Sequence, residues 1–153
     1  MEETTLKILQ ILSEDGRKSY RSIGEKLNKS PVTIKNHVEK LENRGVVKNY
    51  GVQIDYEKLG FNLIALIELT ISKGKMLEVE QEIAKIPYVF AVYDITGEYD
   101  ALILARFKNR NDLSKMIKKI HTSPYVERTN THMVLNVIKE NSSFNELIKN
   151  NLK

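Results

Sequence analysis

Residues 30–45 read SPVTIKNHVEKLENRG, and the fold of the N-terminal third turns on them. Ser30-Pro31 predicts a helix start, a capping hydroxyl followed by an imide at the first helical position, where no backbone N–H is needed. Ile34, Val38 and Leu41 form one narrow inward stripe, and Gly45 supplies the stop. At about 100° per residue the opposite side presents Val32, Asn36, Glu39, Lys40 and Asn43, with Thr33 and Lys35 on the flanks.

Upstream, Leu6, Ile8, Leu9, Ile11 and Leu12 surround more than half a helix circumference, so residues 4–14 are expected to form a helix buried by two neighbours. Asp15-Gly16 ends it. Ser19 caps a second helix carrying Ile23 and Leu27 at i and i+4, and Gly24 between them admits another backbone. Asn28-Lys29-Ser30 is the turn. Helix, short turn and second helix make a helix-turn-helix, the alternative being a helical hairpin with an ordinary polar exterior. Asn36 suits bidentate adenine readout, Lys40 suits guanine or phosphate, and the methyl groups of Val32 and Thr33 suit thymine. Arg17, Lys18, Tyr20 and Arg21 are placed to hold double-stranded DNA by its backbone, and Ser30 and Lys35 are further candidate DNA contacts. His37 lies beside the inward stripe and is assigned to packing.

Charge agrees with this division. Residues 1–50 carry 10 basic and 7 acidic groups (+3), residues 51–105 carry 4 and 9 (−5), and residues 106–153 carry 10 and 4 (+6). Within residues 17–48 there are 9 basic and 3 acidic groups, a local +6 that suits a polyanion. The chain has no cysteine and three histidines, His37, His121 and His132, far apart in sequence, so no metal or other cofactor is expected. The acidic opening and the lack of a long apolar run predict a cytoplasmic protein that does not enter a membrane.

After Gly45 the period changes. Residues 46–54 read as extended chain with a turn near Lys48-Asn49, and 51–60 as a linker between a 1–50 DNA-binding domain and a 61–140 domain. Beyond it the pattern predicts a strand over 61–72, a helix over 76–86 stopped by Pro87, and strands over 88–95 and 100–107 joined at Gly97. A helix over 111–121 and a strand over 125–139 follow. The order βαββαβ is ferredoxin-like α+β, with two helices on one face of an antiparallel sheet. Successive apolar residues in 63–67 and 101–105 ask for burial on both faces, which implies a two-fold homodimer through the uncovered face. Ser143-Phe144-Asn145-Glu146 is a capping box, predicting a short tail helix in 141–153.

Asp15-Gly16-Arg17, Ser30, the Val38-Glu39-Lys40-Leu41-Glu42 run through Gly45-Val46-Val47, Leu59-Gly60 and Thr96-Gly97-Glu98-Tyr99-Asp100 together resemble the Lrp/AsnC family of feast/famine transcription regulators. The likeness spans nearly the whole chain. It implies a non-enzymatic regulator pairing a helix-turn-helix with a βαββαβ effector domain, forming dimers and often octamers, and commonly sensing an amino acid. It places the effector at Thr96, Gly97, Glu98, Tyr99 and Asp100 between neighbouring subunits, with Thr129 and Thr131 as further candidates. Asp100 is expected at the sheet's end, its carboxylate meeting a ligand ammonium or capping turn N–H groups. Ala101 stands where the family frequently has an aromatic residue. Haem-pathway decarboxylases resemble the family in both domains, and such an enzyme would draw on His121, His132, Arg106 or Arg128.

Overall fold

The computed structural model describes residues 2–72, 74–140 and 144–149, the side chains of Glu146 and Lys149 excepted. It divides into two compact units, residues 1–53 with 139–153, and residues 54–138.

The first unit is built on helices α1 (Glu3–Glu14), α2 (Tyr20–Leu27) and α3 (Pro31–Asn43). Ser19 Oγ accepts the Ser22 N–H at 3.1 Å and Ser30 Oγ accepts the Thr33 N–H at 3.0 Å, satisfying donors that a helix start leaves unpaired. Ile8, Ile11, Ile23, Ile34 and Val38 form the core. Burial of each such side chain contributes about 1.5–3 kcal/mol. Gly24 is where this small core closes: a Cβ there would lie 2.5 Å from the Lys29 carbonyl oxygen, so only glycine admits the turn backbone. His37 Nδ1 lies 2.9 Å from Thr5 Oγ1, tying α3 to α1.

Past Gly45 (φ +67°) the chain forms no ladder over residues 46–54. The turn expected at Lys48-Asn49 is absent, because a hairpin needs a partner strand and Tyr50 is held elsewhere. Its ring lies over Gly16, where a Cβ would meet Tyr50 Cδ1 at 3.4 Å, and its hydroxyl donates to Glu42 Oε1 at 2.9 Å. A C-terminal helix, α6 (Phe144–Lys149), belongs to the same unit and packs on α1, with Asn145 Nδ2 donating to Glu14 Oε1 at 2.5 Å. The capping box proposed to start it involves Ser143 and the Glu146 side chain, which lie outside the described residues.

The second unit opens with a 3-10 turn, Glu57–Leu59, ended by Gly60 at φ +84°. Then follow β1 (Leu63–Ile71), α4 (Met76–Ala84), β2 (Val89–Asp94), β3 (Ala101–Phe107), α5 (Arg110–Ile120) and β4 (Val126–Met133). The sheet order is β2-β3-β1-β4 and each neighbouring pair is antiparallel, the ferredoxin-like α+β arrangement. β4 stops at Met133, well short of residue 139. It pairs only with β1, whose first residue is Leu63, and after the Val134 N–H reaches Ile64 O at 2.9 Å a single β1 residue remains, too little to carry the ladder on to residue 139. Leu135 and Ile138, expected in the strand, are therefore exposed.

The register sorts the two sheet faces, because residues directly opposite share a side. Ala65, Ile67 and Leu69 stand opposite Ala105, Ile103 and Ala101, and all six are 0% exposed beneath α4 and α5. Ile64, Leu66, Leu102 and Leu104 lie on the other face and are only half-buried, flanked by exposed Phe90 and Tyr93 on β2. Two helices cover one face, and the second face remains open, with an apolar patch of β1 and β3 residues beside the polar Glu68, Asn130 and His132.

Candidate DNA-reading surface and effector loop

The α3 stripe is shut inward, with Ile34, Val38 and Leu41 at 0–1% exposure, so the opposite side is presented rigidly. Val32 is 66% exposed, and Lys35, Asn36, Glu39 and Lys40 are also exposed. Asn36 and Lys40, four apart, stand one turn above the other. Lys35 Nζ lies 3.5 Å from Glu39. Ser30 and Thr33 are engaged in the cap, their hydroxyls 2.8 Å apart, so of the two only the Thr33 methyl is left to face outward.

Around the α1–α2 junction, the Arg17 side chain is 93% exposed and 3.6 Å from Asp15, and Lys18 is also 3.6 Å from Asp15. Arg21 Nε donates to Glu25 at 3.1 Å in an exposed pair. Such pairs are worth about 0–1 kcal/mol, little enough for a phosphate to displace the carboxylate. Tyr20 is partly exposed beside them. Tyr50 is an addition that sequence reading missed. Burial first, and the Glu42 hydrogen bond second, push its phenol up to about 12. Its partners Gly16 and Glu42 are fixed by tertiary packing, so no local pattern announces it.

The loop between β2 and β3 turns through Gly97 at φ +130°, closed by the Ile95 N–H donating to Asp100 O at 2.9 Å. Asp100 does not cap its own turn. Its N–H donates to Leu69 O at 2.8 Å, and its Oδ2 accepts the Ile71 N–H at 2.7 Å. The cause is the register shift between Thr70 and Ile71 on β1, which leaves Ile71 in need of an acceptor. One carboxylate oxygen is thus committed to holding the sheet. Tyr99 is buried, with the Arg128 guanidinium 5.5 Å from its ring centroid, and Arg128 also reaches Glu98 at 3.4 Å.

Thr129 and Thr131 are not brought to this loop. They stand opposite Leu69 and Ile67, on the helix-covered side, and Thr129 Oγ1 lies 2.9 Å from His121 Nε2. β3 and β4 flank β1, which separates them by about 10 Å, two strand spacings. The structure instead adds Glu80 of α4. Its Oε1 is buried without a hydrogen-bond partner, and burial first, then the charges of Asp94 and Asp100, raise its carboxyl above the usual range. The acidic run around residue 80 concealed which of its carboxylates turns inward.

The residues a tetrapyrrole enzyme would need are scattered. His132 Nε2 lies 3.0 Å from Glu68 on the open face, whereas His121 serves the helix side. Hydrogen bonds from His132 first and Asn130 second hold the Glu68 carboxyl below its ordinary range. Arg106 stacks between Tyr56 and Phe90 at 4.3 and 4.9 Å, opposite Ile64, while Arg128 stands opposite Thr70. Six residues of strand put those arginines about 20 Å apart. Among the described residues no cluster suits a metal ion, and no helix is long and apolar enough to cross a membrane.

Residues 64–144 match the Lrp/AsnC ligand binding domain family, and residues 1–48 match a winged helix-turn-helix DNA-binding family. An uncharacterized HTH-type transcriptional regulator of Pyrococcus furiosus is 44% identical over 134 residues, covering 88% of this chain and 90% of its own. The HTH-type transcriptional regulator FL11 of Pyrococcus horikoshii is 36% identical over 92% and 93% of the two chains. A transcriptional regulator from Neisseria meningitidis, solved as an L-Met complex, superposes with a TM-score of 0.85 at 30% identity, covering 96% and 99%.

Proposed function

The chain belongs to the Lrp/AsnC family of DNA-binding transcription regulators, and from that premise we propose how its parts divide the work. The exterior of α3 enters the major groove. Asn36 reads adenine, Lys40 takes guanine or phosphate, and Val32 and the Thr33 methyl meet thymine methyl groups. Arg17, Lys18, Tyr20, Arg21 and Lys35 hold the backbone and set register, while Ser30, its hydroxyl spent on the α3 cap, fixes the start of the reading helix. The observation that carries this reading is the contrast around α3, an inward stripe closed to solvent and an exposed side rich in amide and ammonium groups.

The open sheet face takes the same face of a second copy, giving a two-fold dimer that assembles further. Its half-buried Ile64, Leu66, Leu102 and Leu104 support that, since a contiguous apolar face is seldom left to water. The effector domain responds to an amino acid or close relative at the Thr96–Asp100 loop. Gly97 lets a ligand approach the backbone, and Glu80 and Asp100 supply negative charge for an ammonium. Thr129 and Thr131 of the same chain face away, so a neighbouring subunit completes this pocket.

L-Methionine is the first probe, because the Neisseria relative was solved with it. The expected result is a melting temperature that rises with ligand concentration, as binding to the native state requires. Asp100→Asn keeps an acceptor for the Ile71 N–H while removing the charge, so it should fold normally and lose the shift. If none of the twenty amino acids at millimolar concentration alters melting, assembly or DNA affinity, the effector assignment fails and the DNA assignment stands.

A further inference from the structure

A second concavity lies away from the loop. It has a volume of about 310 Å3 and opens between α4 and the connection from α5 into β4, on the helix side of the sheet. That is the low end of the range for small-molecule sites, roughly 300–1,000 Å3. Val79, Ile83 and Ile120 form an apolar floor, each at most 5% exposed.

The charges at its mouth are not equivalent. Glu78 is paired with Lys75 at 2.7 Å and Glu82 with Lys85 at 2.5 Å, so each carboxylate is matched by a lysine flanking α4. Lys119, exposed in the last turn of α5, pairs with no carboxylate among the described residues. Beside it, Ser123 Oγ accepts the Tyr125 N–H at 3.4 Å, which leaves the hydroxyl hydrogen to donate outward. Thr122 Oγ1 donates to Lys119 O at 2.7 Å, satisfying one of the carbonyls that would otherwise repel an anion at this helix end. What the mouth offers is one uncompensated ammonium and one hydroxyl donor above an apolar floor.

We propose that this cavity binds a small organic acid with a single carboxylate and a short branched apolar tail. The carboxylate meets Lys119 Nζ and the Ser123 hydroxyl, and the tail covers Val79, Ile83 and Ile120. A cationic ligand would face Lys119, and a dicarboxylate would press its second charge onto the apolar floor. The site goes beyond the Thr96–Asp100 reading and does not depend on it.

The test uses the full chain and 4-methyl-2-oxopentanoate as probe, followed by thermal melting and by NMR of the isoleucine and valine methyl groups. The expected result is a concentration-dependent rise in melting temperature. The methyl resonances of Val79, Ile83 and Ile120 should shift together. Lys119→Met should weaken binding about tenfold or more, as loss of a charge-assisted contact predicts, while Lys119→Arg retains it. Thr122→Trp should close the mouth and abolish binding, while a probe bound at the loop would be unaffected. No binding at about 20 mM, or affinity unchanged by both Lys119→Met and Thr122→Trp, overturns the proposal. Resonance changes confined to residues 96–101 overturn it as well, and leave the loop reading intact.

Discussion

Helix α3 and strand β1 each turn one side fully inward, α3 through Ile34, Val38 and Leu41 and β1 through Ala65, Ile67 and Leu69. Their outer sides differ. That of α3 carries amide and ammonium groups that water solvates well, whereas that of β1 carries Ile64 and Leu66 beside Leu104 and Leu102 of β3. A polar exterior on a well-anchored helix is stable when unoccupied and can exchange its waters for a polyanion. An apolar exterior on a central strand is costly when unoccupied, and its natural complement is another apolar surface. On the proposed reading, the difference separates a reversible ligand contact from a standing assembly contact within one small chain.

The largest expected effect comes from breaking the apolar side. Leu66→Asp or Leu104→Asp should dissociate the assembly or unfold it, because burying an unpaired carboxylate costs several kcal/mol or more. Sedimentation and circular dichroism read the two outcomes, and an unchanged, folded dimer would show that this face is not the assembly surface. The next concerns how firmly α3 is held. Gly24→Ala gains about 0.5–1 kcal/mol of helix propensity, but its Cβ would sit 2.5 Å from Lys29 O, and overpacking typically costs about 1–3 kcal/mol. Net destabilisation by urea unfolding is expected, and a more stable variant would show that the turn yields easily.

The smallest effect is electrostatic. The folded-state pKa of Glu80 is raised, so its contribution is fully present below the ordinary glutamate pKa of 4.5 and is lost as pH rises through the folded value. Glu80→Gln should therefore raise the melting temperature by a degree or so at pH 7, on the order of a few tenths of a kcal/mol. The gain should vanish at about pH 3, more than one unit below the ordinary value of 4.5, where the wild-type carboxyl is protonated in both states. Equal gains at both pH values would mean that charge is not the cause.

How far the sequence could be read follows the range of the forces involved. The caps at Ser19 and Ser30 and the stop at Gly45 are local and were legible residue by residue. The βαββαβ order follows from periodicity, which each segment carries within itself. The end of β4 does not, because Met133 to Ile138 has the same apolar character inside and outside the ladder, and only the length of β1 decides where pairing stops. The exterior of α3 could be read from helical geometry alone. The commitment of Asp100 to the Ile71 N–H and the turning of Thr129 and Thr131 toward the helices depend on two registers across β1, and Glu80 and Tyr50 find their partners through packing. Those are non-local facts.

The most direct test of the account is DNA discrimination by Asn36→Ala. Operator sites are first selected from random duplexes with the full-length protein, and affinities for the selected and random sequences are then measured across a salt series for wild type and variant. Loss of a bidentate base contact should cost about 1–3 kcal/mol on the selected site and leave affinity for random DNA and its salt slope nearly unchanged. Arg21→Ala, in the same assay, should weaken both sequences alike and make the slope shallower by about one. If Asn36→Ala binds selected and random DNA with the wild-type ratio, the exterior of α3 is not the surface that reads sequence, and the account is wrong at its centre.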